Sequence, residues 1–583
     1  MAIEQVPNTP VADAAGWGSD VVADVLRALG FPYAVIVPGA SFRGLHDSIV
    51  NRLGNQNPQL VTCLHENHAV SIADGYSRVT ETPLLVILHS NVGLMNGSMA
   101  IYNAWCDRRP MMILGATGPV DAHHRRPWID WVHTSRDQAA LVRHFVKWDD
   151  QPASAEAAVE SLLRASQITR TAPHGPVYVC LDAHMQEGKL DRAIPAPPIA
   201  RFAPPRRMGV DMRALREVDS ALRAAKKPLI LAGRVSRDMN DWQKRIAFAE
   251  HYGAHVLSST NNAPAFPTAH PLHVLPPAGD KPTQDEAALL AESDLILSLD
   301  WLDLAGFLRG RTGDAQTQAP AKARIIHCSL DSLLTNGWSM DHQALPAVDV
   351  PLLAHPDALV ADMLEAFPDK VTRAAPKAHW MASVKTPAAE GAFDLSRLAF
   401  GMSRWSEGRD ITYARLPIGW PPQACRFAHP LDFLGKDGGG AVGTGPAHTV
   451  GAALALKSSD RTVVGVIGDG DFLMGMNALW TASNQDLPMI LVIANNRSYY
   501  NDEVHQERVA IQRSRPVENK GIGQKLDNPA VDLCQIAAAQ GFETHAPVRS
   551  VAELEQALCE ADRVVAAGGR YFINAEIIPG YAG

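Results

Sequence analysis

The sequence predicts an α/β protein made of three doubly wound, parallel-sheet domains. Short apolar runs rich in β-branched residues recur along the 583 residues and are typical of buried parallel strands. A glycine, proline or asparagine and then a helical hydrophobic pattern follow such runs, as in repeating βαβ units. Two proline-bearing stretches divide the chain into three blocks of similar size. A chain of this length also exceeds the size of one compact domain.

The first predicted domain covers residues 15–190, and a proline-rich linker over 194–205 follows it. The second covers 206–370 and ends in another proline- and lysine-bearing stretch, over about 367–390. The third covers 391–583. The predicted strands of the three domains are 34–37, 84–88, 111–114 and 177–181; 228–232, 254–257, 295–299 and 324–328; and 462–467, 489–494 and 571–575.

The bulk composition excludes several classes of function. A formal net charge of −9 argues against a nucleic-acid or anionic-membrane partner, because either would favour a basic surface. The seven cysteines are scattered without a CxxC pair, which is typical of a reducing compartment. The N-terminus lacks the regions of a signal peptide, and no apolar run approaches the roughly 20 residues of a membrane span. We therefore expect a cytoplasmic protein without a membrane partner.

Two polar motifs follow neighbouring predicted strands of the third domain. Gly468-Asp469-Gly470-Asp471 ends one strand, and Asn495-Asn496-Arg497-Ser498 ends the next, with 24 residues between Gly470 and Asn495. Each motif alone is most often a turn. Together they place a carboxylate and an amide oxygen at one edge of a parallel sheet, where α/β proteins bind ligands. Such oxygens suit Mg²⁺, and a predicted helix over 477–484 could help to neutralise a phosphate.

A helical motif in the first domain carries a second candidate carboxylate. In the segment 64–76, Glu66 shares one helical face with Ala69, Val70 and Ala73. A lone glutamate near a helix start is usually a surface residue that compensates the helix dipole. A zinc-protease site is excluded because the sequence HENH lacks two histidines four residues apart.

The spacing from GDG to NN resembles the cofactor motif of thiamine-diphosphate enzymes, and the segment 64–76 is similar to their HE-x-x-A-x-x-x-A-x-G-Y segment. The resemblance extends over nearly the whole chain. It implies a pyrimidine-binding domain at 15–190, a middle domain at 206–370 and a diphosphate- and Mg-binding domain at 391–583. It implies Mg²⁺ ligation by Asp469, Asn496 and the carbonyl of Ser498, with the cofactor contacted by Gly468, Gly470 and Asp471.

In this family the glutamate holds the N1′ proton of the cofactor's aminopyrimidine, and Glu66 is the implied residue here. Residues 438–445 are similar to the family segment that wraps the aminopyrimidine. Gly440 would therefore accept a hydrogen bond from the 4′-amino group, and Val442 would support the bent cofactor. The glutamate and the metal site that meet at one cofactor come from different chains. The resemblance therefore implies a homodimer or homotetramer with active sites between chains.

The segment 103–110 and the end of the third domain are most similar to acetolactate synthase large subunits and benzaldehyde lyase. This branch implies a carboligase or lyase that forms or cleaves C–C bonds next to the carbonyl of 2-oxo acids, ketones or aldehydes. A non-ligating 2-keto-acid decarboxylase is one alternative. A degenerate cofactor-binding or regulatory subunit is another, although the presence of Glu66, Asp469 and Asn496 favours an enzyme.

Three further residues are candidates for contact with the substrate. Ser41 follows the first strand, next to Ala40, which stands where simple decarboxylases carry an aspartate. His133 lies in a loop that holds an active-site polar group in relatives. His89 is either an acid/base facing the cofactor or a satisfied histidine at a strand end. Flavin-binding synthases have a glycine-rich turn where this chain has Gly233-Arg234, without a GxGxxG motif nearby, so we predict that FAD is absent.

Overall fold

A computed structural model describes residues 6–7, 15–312, 323–334, 345–373, 379–388 and 390–580. It contains three separate parallel β-sheets, each flanked by helices, which confirms the predicted fold class. Residues 374–378 and 389 of the second predicted linker, and 581–583 at the end of the third predicted domain, lie outside the described part. None of the described helices is both long and apolar enough to cross a membrane.

The first sheet has six strands. In chain order its elements are α1 (Gly18–Ala28), β1 (Tyr33–Ile36), α2 (Arg43–Asp47), β2 (Gln59–Thr62), α3 (Glu66–Thr80), β3 (Leu84–Leu88), α4 (Ser90–Cys106), β4 (Met111–Thr117), α5 (Ile129–Val132), β5 (Asp149–Asp150), α6 (Ala155–Arg170), β6 (Pro176–Asp182) and α7 (Ala183–Glu187). The strands lie parallel in the order β2-β1-β3-β4-β6-β5.

The second sheet has five parallel strands. Its elements are α8 (Met212–Ala224), β7 (Pro228–Ala232), α9 (Met239–Tyr252), β8 (His255–Ser258), α10 (Gln284–Glu292), β9 (Leu295–Leu299), α11 (Leu304–Thr312), β10 (Arg324–Ser329), β11 (Val350–Leu353) and α12 (Pro356–Ala366). Its strand order is β11-β10-β9-β7-β8.

The third sheet also has five parallel strands. Its elements are α13 (Leu395–Ser406), β12 (Ile411–Arg415), α14 (Gly445–Ala455), β13 (Thr462–Gly468), α15 (Asp469–Gly475), α16 (Ala478–Asn484), β14 (Met489–Asn495), α17 (Tyr500–Gln512), α18 (Leu533–Ala539), β15 (Glu543–Thr544), α19 (Val551–Ala566) and β16 (Arg570–Glu576). The order is β12-β13-β14-β16-β15.

Every predicted strand is present; three have the predicted bounds, and the ends of the others are shifted by at most three residues. Five strands were not predicted (β2, β5, β11, β12 and β15), and each lies at the edge of its sheet. Edge strands are covered on fewer sides, so they lack the continuous apolar run of a central strand. The alternating burial of β11 and the two-residue length of β5 and β15 illustrate this. The predicted helix over 477–484 is α16, but an additional helix, α15, begins directly at Asp469.

The first and third sheets share one apolar core, which contains Val86 and Ile113 of the first and Ile467 and Leu491 of the third. Helices α3 and α14 cross at the centre of this interface. A Cβ atom added at Gly75 of α3 would overlap the carbonyl oxygen of His448, and one added at Gly451 of α14 would overlap that of Ile72. The two helix backbones therefore lie in direct contact, which only glycine at these positions permits.

The crossing predicts that Gly75→Ala destabilises the fold. Overpacking of this kind costs about 1–3 kcal/mol. Gly310→Ala is the matched control, because Gly310 lies in α11 and its added Cβ would meet only Pro282, at 3.7 Å. We expect Gly310→Ala to be neutral or to stabilise by up to about 1 kcal/mol, since alanine favours helices over glycine. Urea unfolding followed by circular dichroism measures both, and equal midpoints for the two variants would contradict the proposed helix contact.

Candidate active site

A pocket opens at the carboxyl ends of β13 and β14, which are neighbours in the third sheet. Asp469 is the first residue of α15, and Asn496 follows the last residue of β14. The backbone N–H of Ser498 donates to Asp469 Oδ2 at 3.1 Å and to Asn496 Oδ1 at 3.0 Å. One amide thus brings the carboxylate and the side-chain amide oxygen of the two predicted metal ligands to the same point.

The charge state of Asp469 indicates what this point can bind. Asp469 is 4% exposed, and burial raises the pKa of its carboxyl group to about 6, against the lowering effect of backbone N–H donors that include Ser498. No ion pair joins it to any residue in the described ranges. A buried carboxylate without a cationic partner is costly. A hard cation such as Mg²⁺ fits here, with oxygen donors already in place.

The walls of the same pocket leave room for a diphosphate group. Added Cβ atoms at Gly440 and Gly468 would meet nothing within 4 Å, so both backbones face open space. At Gly470, by contrast, an added Cβ would meet the ring of Tyr499 at 2.5 Å. Val442 also lines the pocket and is 47% exposed, so its side chain is available to a ligand. The residues present therefore fit a metal-bound diphosphate cofactor.

Asp471 lines the pocket too, but its hydrogen bonds point to a supporting role. Its Oδ1 accepts from the backbone N–H of Gly443 at 2.7 Å and from that of Gly445 at 3.1 Å. Gly443 has a φ of +96°, a conformation that favours glycine. Asp471 therefore fixes the turn that leads into α14.

Glu66 lies in the first domain, as the first residue of α3, and is 8% exposed. The preceding His65 caps the helix, since its Nδ1 accepts from the backbone N–H of Asn67 at 3.1 Å. Asn96 of α4 donates through Nδ2 to Glu66 Oε2 at 3.1 Å. The lining of the pocket that contains Asp469 does not include Glu66. Each chain thus carries the two carboxylates on different parts of its surface.

The structure brings Ser41, His89 and His133 together in a second, smaller pocket. Ser41 Oγ lies 2.8 Å from His89 Nδ1, and the rings of His89 and His133 meet edge to face with centroids 4.9 Å apart. Burial lowers the pKa of His89, His133 and Arg126 lower it further, and Glu66 opposes them. Glu66 is therefore close enough to act electrostatically on this pocket. The contact with Ser41 is compatible with either predicted role of His89, an acid/base or a satisfied histidine at a strand end.

Several polar side chains of this pocket were not predicted from the sequence. Arg126 pairs with Asp130 at 2.9 Å, and the ring of His124 stacks on that of His184 with centroids 3.7 Å apart. The adjacent histidines at 123 and 124 were a visible signal in the sequence, but sequence spacing does not reveal how the segment 118–133 folds back. His184, in α7 after β6, has no local motif.

Ion pairs lie at the ends of the middle-domain strands in the region considered for FAD. Arg234 Nη2 lies 3.0 Å from Asp300 Oδ1 and 2.9 Å from Asp331 Oδ2. An added Cβ at Gly233 would overlap the carbonyl oxygen of Asp300. Gly233, Arg234 and Asp300 also line a cavity of about 630 Å³, so the region is open to a ligand and the absence of FAD stays a prediction.

Comparison with known proteins identifies the family. Three models of thiamine pyrophosphate (thiamine diphosphate) enzymes match the chain: the N-terminal TPP binding domain over residues 16–141, the central domain over 215–348 and the C-terminal TPP binding domain over 418–575. The chain belongs to the thiamine pyrophosphate enzyme family. It is therefore an enzyme that uses this cofactor, of the class that includes acetolactate synthases and 2-oxo-acid decarboxylases.

Individual relatives span most of the chain. Benzoylformate decarboxylase of Pseudomonas aeruginosa is 28% identical over 516 residues, which cover 85% of this chain and 88% of the relative. The large subunit of acetolactate synthase isozyme 1 of Escherichia coli is 24% identical over 550 residues, covering 90% and 88%. Among solved structures, the thiamine diphosphate-dependent 4-hydroxybenzoylformate decarboxylase of Rhodococcus jostii RHA1 superposes with a TM-score of 0.80 at 21% identity, over 97% of this chain and 100% of that one. This likeness supports the fold.

The first pocket predicts that Asp469→Asn weakens Mg²⁺-dependent binding of thiamine diphosphate by about 10–100-fold, the usual effect of altering a metal site. Asp502→Asn is the matched control, because Asp502 is an exposed carboxylate that lines the same pocket. Isothermal titration calorimetry with cofactor at several Mg²⁺ concentrations measures both. Equal losses in the two variants would mean that only the overall charge of the pocket matters.

Proposed function

We propose that this enzyme decarboxylates a 2-oxo acid and releases the corresponding aldehyde. The carrying observation is the contact of Ser41, His89 and His133 in one pocket, within electrostatic reach of Glu66. These groups can deliver a proton to the carbon that has lost CO₂. Prompt protonation at that carbon gives an aldehyde, whereas a carboligase has to keep protons away until a second carbonyl compound arrives.

Glu66 is the proposed activator of the cofactor. When bound, thiamine diphosphate supplies a carbon nucleophile and accepts the electron pair released with CO₂. Glu66 is buried and hydrogen-bonded through one oxygen by Asn96, so its other oxygen is free to hold a proton at the N1′ atom of the cofactor. A positioned carboxyl group of this kind contributes about 10²–10⁴-fold to a rate.

His89 is the proposed proton donor to the product carbon. Burial and the nearby His133 and Arg126 lower its pKa, so the imidazole is neutral near pH 7. Ser41 Oγ orients the ring through its contact with Nδ1. Once His89 has taken up a proton, its lowered pKa makes the imidazolium a stronger acid towards the product carbon. His133, at the edge of the His89 ring, can return a proton to it.

The relatives support the same assignment. Benzoylformate decarboxylase is 28% identical to this chain, against 24% for the Escherichia coli acetolactate synthase subunit. The carboligase predicted from the sequence remains the second candidate. It is favoured by the synthase-like segment 103–110 and by the length of the synthase match, which reaches 90% of the chain.

We further propose a homodimer or homotetramer in which Glu66 of one chain serves the pocket of Asp469 in another. The separate locations of these residues support this arrangement. So do the exposed apolar side chains of α4 beside Glu66, namely Val92, Met95 and Met99, which are 39%, 57% and 40% exposed. A second copy would cover them. The proposal also includes Mg²⁺ ligation by Asp469, Asn496 and Ser498. It includes a cytoplasmic location and the domain limits 15–190, 206–370 and 391–583.

Incubation with pyruvate or phenylglyoxylate, thiamine diphosphate and Mg²⁺ tests the reaction. We expect CO₂ and aldehyde in equal amounts and little acyloin, while acyloin as the main product would favour the carboligase. Glu66→Gln should lose about 10²–10⁴-fold in kcat. Glu160→Gln, an exposed glutamate of α6, serves as the control and should retain wild-type kcat. Full activity of Glu66→Gln would exclude the proposed activation.

The lowered pKa of His89 predicts a specific pH profile. His89 has to carry a proton on both ring nitrogens before it can donate one, so aldehyde release should fall as the pH rises through a value below the ordinary pKa of about 6.5. In His89→Asn, kcat should drop by about 10²-fold and this limb of the profile should disappear. Ser41→Ala should shift the limb without removing it. A limb unchanged in His89→Asn would assign it to another group.

A further inference from the structure

The segment 436–444, here called the cofactor loop, forms one wall of the pocket that contains Asp469. Lys436, Asp437 and Gly440 are among its lining residues. Gly440 has a φ of +68°, and the loop contains no helix or strand of its own. Contacts with neighbouring elements therefore have to define its shape.

Arg78 of α3 provides the first of these contacts, from the other domain. Its Nη1 donates to the carbonyl oxygen of Lys436 at 2.8 Å and to that of Leu434 at 3.4 Å. The same guanidinium donates through Nε to Asp74 Oδ1 at 2.9 Å and through Nη2 to Asp107. Arg78 is 1% exposed. Burial opposes its charge, but the two carboxylates outweigh burial and raise the pKa of the guanidinium above its usual value.

Asp107, at the end of α4, extends this network along the loop. Its Oδ2 accepts from the backbone N–H of Gly438 at 3.0 Å. Asn103 of α4 donates to Asp437 Oδ2 at 3.2 Å, and Thr444 donates to the same oxygen at 2.7 Å. The first half of the loop is thus hydrogen-bonded to α3 and α4 of the first domain.

We propose that Arg78, acting together with Asp107, is a positioning residue for the cofactor. It touches the loop and not the ligand, and it holds the loop carbonyls and the backbone of Gly440 in the shape that the bound cofactor requires. The inference rests on the proposed role of the cofactor loop in binding the aminopyrimidine.

Asp107→Ala tests this role against a matched buried ion pair. Asp357 pairs with Arg245 at 2.5 Å in the middle domain, and their side chains are 1% and 2% exposed. We measure the Kd of thiamine diphosphate with Mg²⁺ by isothermal titration calorimetry and the urea midpoint of the cofactor-free protein. Both Asp107→Ala and Asp357→Ala should lower the midpoint. Only Asp107→Ala should raise the Kd, by about 10–100-fold.

Two further variants keep the test decisive. Asp107→Asn retains an oxygen for the Gly438 N–H and should recover part of the affinity. Thr444→Val removes the hydrogen bonds of the hydroxyl to Asp437 and to the carbonyl oxygen of Ala441, and it replaces Asp107→Ala if that variant does not fold. An unchanged Kd in the variants at 107 and 444, or an equal rise in Asp357→Ala, would overturn the proposal. Since affinity does not depend on which product forms, this outcome is distinguishable from failure of the proposed decarboxylation.

Discussion

The direct contact between α3 and α14 is the constraint on which the rest of the structure depends. Glycines at the crossing allow the two backbones to touch, and the apolar residues of the first and third sheets merge into one core around them. Helix α3 begins with Glu66 and carries Arg78 near its end, while α14 follows the cofactor loop. This single helix pair therefore fixes the positions of Glu66, the cofactor loop and the pocket that contains Asp469.

The strand-end geometry made the meeting of Asp469 and Asn496 predictable from the sequence. A carboxylate after one central strand and an amide after the next have to meet when the strands are parallel neighbours, as β13 and β14 are. The central strands were predictable for a related reason, because burial on both faces leaves an unbroken apolar run. Five of the six edge strands of the described sheets were missed, because they lack that run.

The second pocket was predictable only in part. Ser41, His89 and His133 were identified as separate candidates, and their contact depends on how the long connection after β4 folds back over the ends of β1 and β3. Arg126 reaches the same pocket through that connection, and His184 reaches it from α7. No periodic pattern in the sequence indicated either residue. The pair of Arg78 with Asp74 is a contact between residues four apart within α3. Asp107 and the loop carbonyls reach Arg78 through tertiary packing alone, so this part of the network was invisible in the sequence.

The buried carboxylate of Asp469, which forms no ion pair within the described residues, has a consequence for the lifetime of the protein in a cell. Burial of this charge without a cationic partner costs free energy in the ligand-free fold. Anything that binds only the folded chain stabilises it by mass action. A free ligand concentration of one hundred times the dissociation constant adds about 2.7 kcal/mol to the free energy of unfolding. Scarcity of cofactor or of its cation would thus expose a larger unfolded fraction to proteases, so that the abundance of the enzyme would follow the supply of its ligands.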